Sequence, residues 1–339
     1  MRVRKGHVVC FGEVMLRLAT PPGRVIAAAQ SLDLTIGGAE ANVAVALTSL
    51  SHEAWFLGRV PDNALGAKAR AAIAATGVDV RHFGAGPGRM GLYFLEIGAS
   101  LRPSAITYDR AGSSFAVAKP EDFDFRAPLE GASLFHISGI TAALNEGGAH
   151  LLRAGIDAAV ALGVPISFDC NFRERLWGAW DSNPRDILMD LIADVNVLFG
   201  NHRDMTLLLD RPFSGDGPER RREAVQAAFD TFPKLEVMAS TARTALTQTH
   251  HRLAARVDTR DEQFQTPEIE ITDIFDRLGT GDAFTAGVLA AWLEGGNTQR
   301  MAELGLACNA LKHSLQGDFF RLPRGEIEAF TGIGGDVRR

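Results

Sequence analysis

The feature that most limits the fold of this chain is the regular alternation of two kinds of segment between residues 134 and 240. Short apolar runs predict buried strands, and the longer segments between them have the periodicity of helices. The predicted strands are residues 134–138, 165–169, 195–200 and 235–240, and the predicted helices are residues 148–162, 184–193 and 218–232. Strands that alternate with helices of this length form parallel βαβ units, so the sequence predicts an α/β fold with a mainly parallel sheet.

Composition argues against several classes of protein. Of the 339 residues, 46% are hydrophobic, which is ample for a large core, and the net charge of −6 lacks the basic footprint of a nucleic-acid-binding protein. The three cysteines are far apart and match no metal-binding spacing, so we expect reduced, buried thiols in a cytoplasmic protein. No run approaches the ~20 apolar residues that span a membrane. The apolar run from Val8 is broken at Gly12, too early for a secretory leader.

One glycine-rich turn near the C-terminus carries the strongest indication of function. Residues 276–284 read DRLGTGDAF, with an apolar extended run before them and a helical pattern after them. A turn that leads into a helix directs backbone N–H groups and the positive end of the helix dipole at one point, where phosphate groups bind. Asp282 stands inside this anion site, so we expect it to accept the proton of an attacking hydroxyl while a phosphoryl group is held there.

Polar residues follow several of the predicted parallel strands. They are Asp169, Asn171 and Arg173 after one strand, Asn201 and Asp204 after the next, and Ser240 and Thr241 after the last. Ligands of such sheets gather at the carboxyl ends of the strands, so we expect this set to converge beside the turn. The spacing of Asn201 and Asp204 suits either a hydrated Mg²⁺ held through oxygen ligands or a helix N-cap, and leaves both open.

The N-terminal third of the chain predicts a second, smaller sheet. Residues 13–18 alternate charged and apolar side chains, which predicts a strand with one solvent-facing side. Residues 93–97 and 105–110 predict an antiparallel hairpin that contains both tyrosines of the chain. Gly37 and Gly38 precede a helical pattern, and their spacing is equally consistent with the close approach of a ligand and with a tight packing turn.

Three further segments limit the interpretation. Residues 78–82 predict a strand, whereas residues 246–266 are polar and irregular and allow no assignment. The formal G-x-G-x-x-G match at residues 86–91 precedes a predicted strand rather than a helix, so we reject a dinucleotide site there. Glycine never precedes lysine in this chain, which excludes a Walker A motif.

The turn at residues 276–284 and the glycine stretch at residues 37–42 resemble the two signatures of the ribokinase-like (PfkB) carbohydrate kinases, and the second, D-x-x-G-x-G-D-x-F, is specific. Within that family, residues 108–110 and 169–177 are most similar to 2-keto-3-deoxygluconate kinases. The resemblance implies a three-layer α/β/α sandwich with a mainly parallel sheet and a small β-sheet lid. It implies one kinase domain at residues 1–339, with the lid built from about 13–18, 34–37 and 90–111. It also implies a homodimer or higher homo-oligomer joined through the lid.

The same resemblance implies an activity. ATP would phosphorylate the terminal hydroxyl of 2-keto-3-deoxy-D-gluconate to give 2-keto-3-deoxy-6-phosphogluconate. Two alternatives stay open: a kinase of a neutral sugar such as fructose or ribose, and a non-catalytic sugar-binding relative. The implied cofactors are ATP and Mg²⁺, with K⁺ as a further option, and the implied partners are a sugar acid and ATP, without nucleic acid or membrane.

The resemblance also assigns roles to individual residues. The catalytic set is Asp282 as the base, Gly279, Thr280 and Gly281 as the anion hole, and Arg173. The residues expected around the sugar acid are Gly37, Gly38, Asn42, Tyr93, Tyr108, Arg110, Arg173, Asp282 and Asp318. The residues expected at the nucleotide are Asp169, Asn171, Asn201, Ser240, Thr241, Arg243, Gly279, Gly281 and Asn309. Asn201 and Asp204 would hold Mg²⁺ through water, and Asp276 would organise the turn, with a monovalent cation as one means.

Two departures from the family pattern concern the nucleotide. The usual N-x-x-E runs from Asn201 to Asp204 here, and the shorter aspartate side chain is expected to shift the water network around Mg²⁺. The usual K-x-G-x-x-G turn is replaced at residues 239–243 by ASTAR, which has neither lysine nor glycine. We expect Arg243 to supply the missing phosphate contact.

Overall fold

The computed structural model describes residues 3–99, 101–330 and 332. In that part of the chain the strands form a large sheet of ten strands and a small sheet of four. Ser100, inside the predicted lid segment 90–111, and the outermost residues of the predicted domain 1–339 lie outside the described residues.

The strands and helices follow one another along most of the chain. The strands are β1 (Val8–Phe11), β2 (Met15–Ala19), β3 (Asp33–Gly37), β4 (Ala54–Pro61), β5 (Phe83–Gly86), β6 (Gly91–Glu96), β7 (Ala105–Asp109), β8 (Leu134–Ser138), β9 (Ile166–Asp169), β10 (Val197–Phe199), β11 (Val237–Ala245), β12 (His251–Asp258), β13 (Gln263–Gln265) and β14 (Ile269–Ile271). The helices are α1 (Ala39–Ser49), α2 (Ala64–Ala74), α3 (Arg126–Leu129), α4 (Gly139–Leu144), α5 (Glu146–Leu162), α6 (Glu174–Trp177), α7 (Pro184–Ile192), α8 (His202–Leu209), α9 (Gly217–Thr231), α10 (Thr280–Leu293), α11 (Thr298–Lys312) and α12 (Arg324–Glu328).

The large sheet is mainly parallel, as the alternation of strands and helices predicts. Its parallel part has the order β11-β10-β9-β8-β1-β4-β5, and β12 continues the sheet antiparallel to β11. Strands β13 and β14 both pair with β12 in the antiparallel sense. The carboxyl ends of the parallel strands therefore lie at one edge, where the predicted polar residues follow them.

Two hydrophobic cores lie on opposite faces of the large sheet. Along β1, Val8 and Cys10 belong to one core and Val9 and Phe11 to the other, because successive side chains of a strand point to opposite faces. Helix α10 is apolar on all sides and is almost entirely buried between α1 and α11. This α/β/α arrangement confirms the predicted sandwich, and all three cysteines are buried and free, as expected.

The small sheet has the strand order β3-β2-β6-β7 and includes the predicted β6–β7 hairpin. The prediction that residues 13–18 have a solvent-facing side is wrong. Glu13 is only 4% exposed and Arg17 only 2%, because each side chain is ion-paired inside the protein. The alternating charges of this strand therefore mark buried pairs rather than a wet face.

One other prediction is wrong, and the segment that the sequence left unassigned contains strands. Residues 78–82 form no strand: Asp79 makes an isolated bridge to Trp55, and the strand is β5, whose glycines hide its character because glycine is depleted in strands. The unassigned segment 246–266 contains β12 and β13. Its polar composition conceals a buried strand, since Arg256 Nε donates to Asp258 Oδ2 (2.7 Å) inside it. The rejected glycine match at 86–91 does lead into a strand, β6, rather than a helix.

Candidate active site

The glycine-rich turn begins helix α10 as predicted. Gly279 is its N-cap, with φ of 77°, and a Cβ there would lie 2.1 Å from the backbone oxygen of Asp318, so only glycine fits. Thr280 Oγ1 donates to the carbonyl of Arg277 (2.9 Å), which tightens the turn. Asn309 Nδ2 donates to the carbonyl of Thr280 (2.9 Å) from helix α11. These two contacts support the turn from both sides.

Asp282 lies in the first turn of α10 and is held by a neighbouring helix. Asn42 Nδ2 on α1 donates to Asp282 Oδ2 at 2.6 Å. Burial raises the pKa of Asp282 to about 6, and the hydrogen bond from Asn42 opposes that shift. A carboxylate with this pKa is mostly ionised at neutral pH and is a better proton acceptor than an ordinary aspartate.

Asp282 faces a cavity of about 280 Å³ between the small sheet and the turn, which we call the inner cavity. Its walls include Glu13, Gly38, Glu40, Asn42, Tyr93, Tyr108, Arg110, Arg173, Arg277, Asp282 and Asp318. The structure therefore brings together most of the residues predicted to surround the sugar acid. Gly37 is not in this wall. It lies behind Asp318, where a Cβ would come within 2.3 Å of Asp318 Oδ2.

Pairs of side chains fix the shape of the inner cavity. Tyr93 Oη donates to Asp318 Oδ2 at 2.5 Å. Arg110 Nε donates to Glu13 Oε2 at 2.8 Å, and both of these side chains are buried. Arg110 is therefore already neutralised by a partner that the sequence did not reveal, which weakens its predicted part in holding the acid group.

Two other arginines of the inner cavity carry charge that is not neutralised in this way. Among the described residues, neither Arg173 nor Arg277 forms an ion pair, although Arg173 Nη1 donates to the carbonyl of Phe172 (3.2 Å). Arg173 was predicted at this site, whereas Arg277, the second residue of the turn, was not. Its place directly after Asp276 in the glycine-rich turn at residues 276–284, which we call the anion turn, was the available signal.

A second, open cavity of about 550 Å³ adjoins the first, and we call it the outer groove. Asp169, Asn171, Arg173 and Gly281 line both cavities, so the two spaces meet at the anion turn. The outer groove also contains the predicted nucleotide residues Asn201, Ser240 and Thr241. The outer groove and the inner cavity therefore lie on opposite sides of a shared wall that includes Gly281.

The two remaining residues predicted at the nucleotide, Arg243 and Asn309, lie in different surroundings. Arg243 lies in an adjoining cavity of about 540 Å³ that shares Asn201, Ser240 and Thr241 with the outer groove. Asn309 is only 4% exposed and lines neither cavity, so its position suits support of the turn rather than direct contact with a nucleotide.

Asn201 and Asp204 form the helix cap that the sequence left open. Asn201 Oδ1 accepts from the N–H of Arg203 (2.8 Å), and Asp204 Oδ2 accepts from the N–H of Asn201 (2.7 Å). This is a capping box at the start of α8. Asp204 still lines the outer groove, and burial raises its pKa.

Several carboxylates crowd the junction of the two cavities. Burial raises the pKa of Asp169 to about 7, and the charges of Asp282 and Asp204 push it in the same direction. Burial also raises the pKa of Glu40 to about 7, against a hydrogen bond from Ser138 Oγ. Glu40 was missed by sequence reasoning because it stands inside the glycine stretch at a position with no charged neighbour.

The junction fits a divalent cation bound together with phosphate groups. Mutual repulsion between Asp169, Asp204 and Asp282 falls when a cation lies among them. In the described part of the chain, no group of three or more acidic, histidine or cysteine side chains is arranged to hold a metal ion directly. Of the predicted pair, Asn201 lines the outer groove but its Oδ1 caps α8, so Asp204 together with Asp169 would hold Mg²⁺ through water, the manner in which it is usually bound beside phosphates.

The predicted monovalent cation at Asp276 does not fit. Asp276 Oδ1 accepts from the N–H of Leu278 (3.0 Å). Asp276 Oδ2 accepts from the N–H of Gly317 (3.0 Å) and from Arg17 Nη2 (2.6 Å). Asp276 thus organises the turn as predicted, but an arginine occupies the place expected for the cation.

Comparison with known proteins agrees with this geometry. Residues 5–323 match the pfkB family of carbohydrate kinases. The chain belongs to the pfkB carbohydrate kinase family. Kinases of this family use ATP and a divalent metal.

Named relatives narrow the likeness further. The chain is 32% identical over 332 residues to a 2-dehydro-3-deoxygalactonokinase of Haloferax volcanii, covering 98% of each chain. It is 26% identical over 319 residues to a 2-dehydro-3-deoxygluconokinase of Thermoproteus tenax, covering 93% of this chain and 91% of the relative. The crystal structure of a 2-dehydro-3-deoxygluconokinase of Thermotoga maritima superposes with a TM-score of 0.90 at 35% identity, covering 96% of this chain and 98% of that one. Across the residues that the structure describes, no helix is long and apolar enough to cross a bilayer.

Proposed function

We propose that this pfkB family kinase transfers the γ-phosphoryl group of ATP to the terminal hydroxyl of a 2-keto-3-deoxy sugar acid, with 2-keto-3-deoxy-D-gluconate as the leading substrate. The observation that carries the proposal is the place of Asp282. It lines the inner cavity next to Gly281, which lines both cavities, at the positive end of helix α10. The hydroxyl of a sugar in the inner cavity and a phosphate in the outer groove would meet there.

For the phosphoryl transfer, the protein supplies a proton acceptor and groups that stabilise negative charge. The sugar oxygen bonds to the γ-phosphorus, the bond from that phosphorus to the β–γ bridging oxygen breaks, and ADP leaves. Asp282 orients the hydroxyl and accepts its proton late in the step. The N–H groups of the turn and Arg173 stabilise negative charge on the transferring group. Mg²⁺, when bound, supplies further positive charge at the phosphate oxygens.

An acid group on the substrate accounts for two features of the inner cavity. Arg173 and Arg277 both line it, and neither is ion-paired among the described residues. The charge of Arg173 already acts on the buried carboxylates Asp169 and Asp282, whose pKa values it lowers. Arg277 would pair with a substrate carboxylate in the forked geometry that arginine favours, and a neutral sugar offers it no such partner. Arg110 then acts mainly through Glu13, as part of the wall.

An ADP-release assay over a panel of acceptors tests the proposal. The panel holds 2-keto-3-deoxygluconate, 2-keto-3-deoxygalactonate, fructose and ribose, because the named relatives differ in the acid and the open alternative is a neutral sugar. We expect turnover with at least the gluconate derivative and little with fructose or ribose. Faster turnover of a neutral sugar would favour the alternative kinase, and sugar binding without ADP release would favour a non-catalytic relative. The Asp282→Asn variant is the matched blank. Self-association through the small sheet stays a prediction.

A further inference from the structure

The acidic residue at the start of the anion turn is fully used by protein donors. Asp276 is 8% exposed, and its two oxygens accept from two backbone N–H groups and from Arg17. A carboxylate that accepts three such bonds has little capacity left for a metal ion. The contacts that organise the turn are therefore supplied by the chain itself.

Arg17 also reaches the other acidic residue beneath the turn. Its Nη1 donates to Asp318 Oδ1 at 2.9 Å, while its Nη2 lies 2.6 Å from Asp276 Oδ2. Asp318 also packs against the turn. Its backbone oxygen lies so close to Gly279 that a Cβ on Gly279 would come within 2.1 Å of it. A single guanidinium on β2 therefore joins the two segments that meet at the turn.

A second cation is buried beside Asp276, whose N–H donates to the carbonyl of His313 (3.3 Å), the residue after Lys312. Lys312, in the last turn of α11, is 0% exposed, and its Nζ donates to the carbonyl of Leu315 (2.9 Å). Burial lowers the pKa of Lys312, and the charges of Asp276 and Asp318 oppose that shift. Both acids therefore act on its ammonium group.

The four side chains Arg17, Lys312, Asp276 and Asp318, which we call the turn-support cluster, carry two positive and two negative charges. A further monovalent cation would meet two buried cations in a region of low dielectric, where like charges repel strongly. It would also have to displace a protein donor from Asp276. Charge and hydrogen bonding thus both oppose a metal ion at this position.

We propose that Arg17 and Lys312 are the structural cations of the anion turn, so that nucleotide binding and turnover in this chain require no monovalent metal ion. The turnover part rests on the proposed kinase function, whereas the structural part does not. Arg17 and Lys312 are positioning residues here, since they act through Asp276 and Asp318 rather than on a substrate.

The wild-type protein provides the first test. Thermal unfolding of the free protein and calorimetric binding of MgADP are measured in potassium chloride and in tetramethylammonium chloride at equal ionic strength. We expect the same midpoint and the same Kd in both salts. A Kd that is at least about tenfold tighter in potassium, the size of a charge-assisted contact, overturns the proposal. Unfolding needs no acceptor or nucleotide, so a protein that fails as a sugar kinase still gives this answer.

Removing one internal cation provides the second test. Lys312→Met leaves two acids against one arginine, together with the carbonyl oxygen of Leu315 as a ligand for a metal ion. We expect MgADP binding by this variant to weaken about tenfold or more in tetramethylammonium and to recover in potassium. Arg59→Met, which removes a buried arginine paired with Asp122 elsewhere, is the control and should show no recovery specific to potassium.

The variants are read together with the wild type. A Lys312→Met protein that folds only in potassium supports the proposal, and one that binds MgADP like the wild type in tetramethylammonium contradicts it. If that variant folds in neither salt, the wild-type comparison still decides, and Arg17→Lys replaces it. Arg17→Lys keeps the charge and should stay insensitive to potassium; potassium-dependent binding by Arg17→Lys overturns the proposal.

Discussion

The inner cavity and the outer groove meet at one turn but are built in opposite ways. Most polar side chains of the inner cavity are held in pairs, Asn42 with Asp282, Tyr93 with Asp318, and Arg110 with Glu13, and Arg277 is the exception. In the outer groove and the cavity beside it, Arg173, Arg203 and Arg243 are exposed and make no ion pair among the described residues. Under the proposed function, the inner cavity is the acceptor side and would be largely shaped before a ligand arrives, whereas the outer groove is the donor side and would leave its charges free to follow a polyphosphate.

The largest expected effect comes from Asp282, which lines the inner cavity beside the turn where the two cavities meet. Asp282→Asn should lower kcat by about 10²–10⁴-fold, because the proton acceptor is lost while the amide can still accept from Asn42. The KM for ATP should change little, since the outer groove is untouched. Steady-state kinetics measure both, and thermal unfolding checks the fold. Near wild-type turnover by a folded variant would show that the chemistry does not centre on this residue.

The Arg277→Leu variant tests whether the inner cavity binds the carboxylate of a sugar acid. It should raise the KM for the sugar acid by about 10–100-fold, the size of one or two lost hydrogen bonds to a charged group. The KM for ATP should stay within a few-fold, and Arg277→Lys should retain part of the affinity. A rise in the KM for ATP instead would move Arg277 to the donor side and break the division between the two cavities.

The pH dependence of turnover tests the role of Asp282 in the inner cavity. Because burial raises the pKa of Asp282 to about 6, lowering the pH protonates the residue and removes the proton acceptor. We expect kcat/KM to fall by about tenfold between pH 7 and pH 5, as expected for a single group with this pKa. The Asn42 hydrogen bond lowers this pKa, so Asn42→Ala should move the inflection to higher pH. An inflection that moves to lower pH, or does not move, contradicts the assignment.

The smallest effect is expected on the donor side. Arg243→Ala should raise the KM for ATP by only about twofold to fivefold, because exposed charges in high dielectric contribute little each. The KM for the sugar acid should not change, and Arg243→Lys should behave like the wild type. An effect as large as that of Arg277→Leu would mean that the donor side is as rigidly specified as the acceptor side.

The sequence predicted the layered fold and the anion turn because both depend on local patterns. The spacing of strands and helices between residues 134 and 240 is a local signal, and so is the order of glycines before Asp282. The predicted and observed elements agree closely: β8 has the predicted bounds, and α10 begins within the predicted turn.

The long-range pairs of side chains that complete the site could not be predicted from local patterns. Glu13 meets Arg110 across 97 residues of sequence, and Arg17 meets Asp318 across 301. An alternating charged and apolar run has the same pattern whether its charges face water or distant partners, so the single sequence favoured water. Strand β12 was missed for the same reason, since its buried Arg256 and Asp258 look polar when they are considered alone.

Gly37 illustrates how a residue can be indispensable without meeting a ligand. Its missing side chain leaves the space that Asp318 and Tyr93 share, and even one added carbon would collide with Asp318 Oδ2 at 2.3 Å. A substitution that adds a side chain here should therefore displace Asp318 and Tyr93, although Gly37 lines neither cavity. A catalogue of harmful variants that considered only ligand-contacting residues would overlook it.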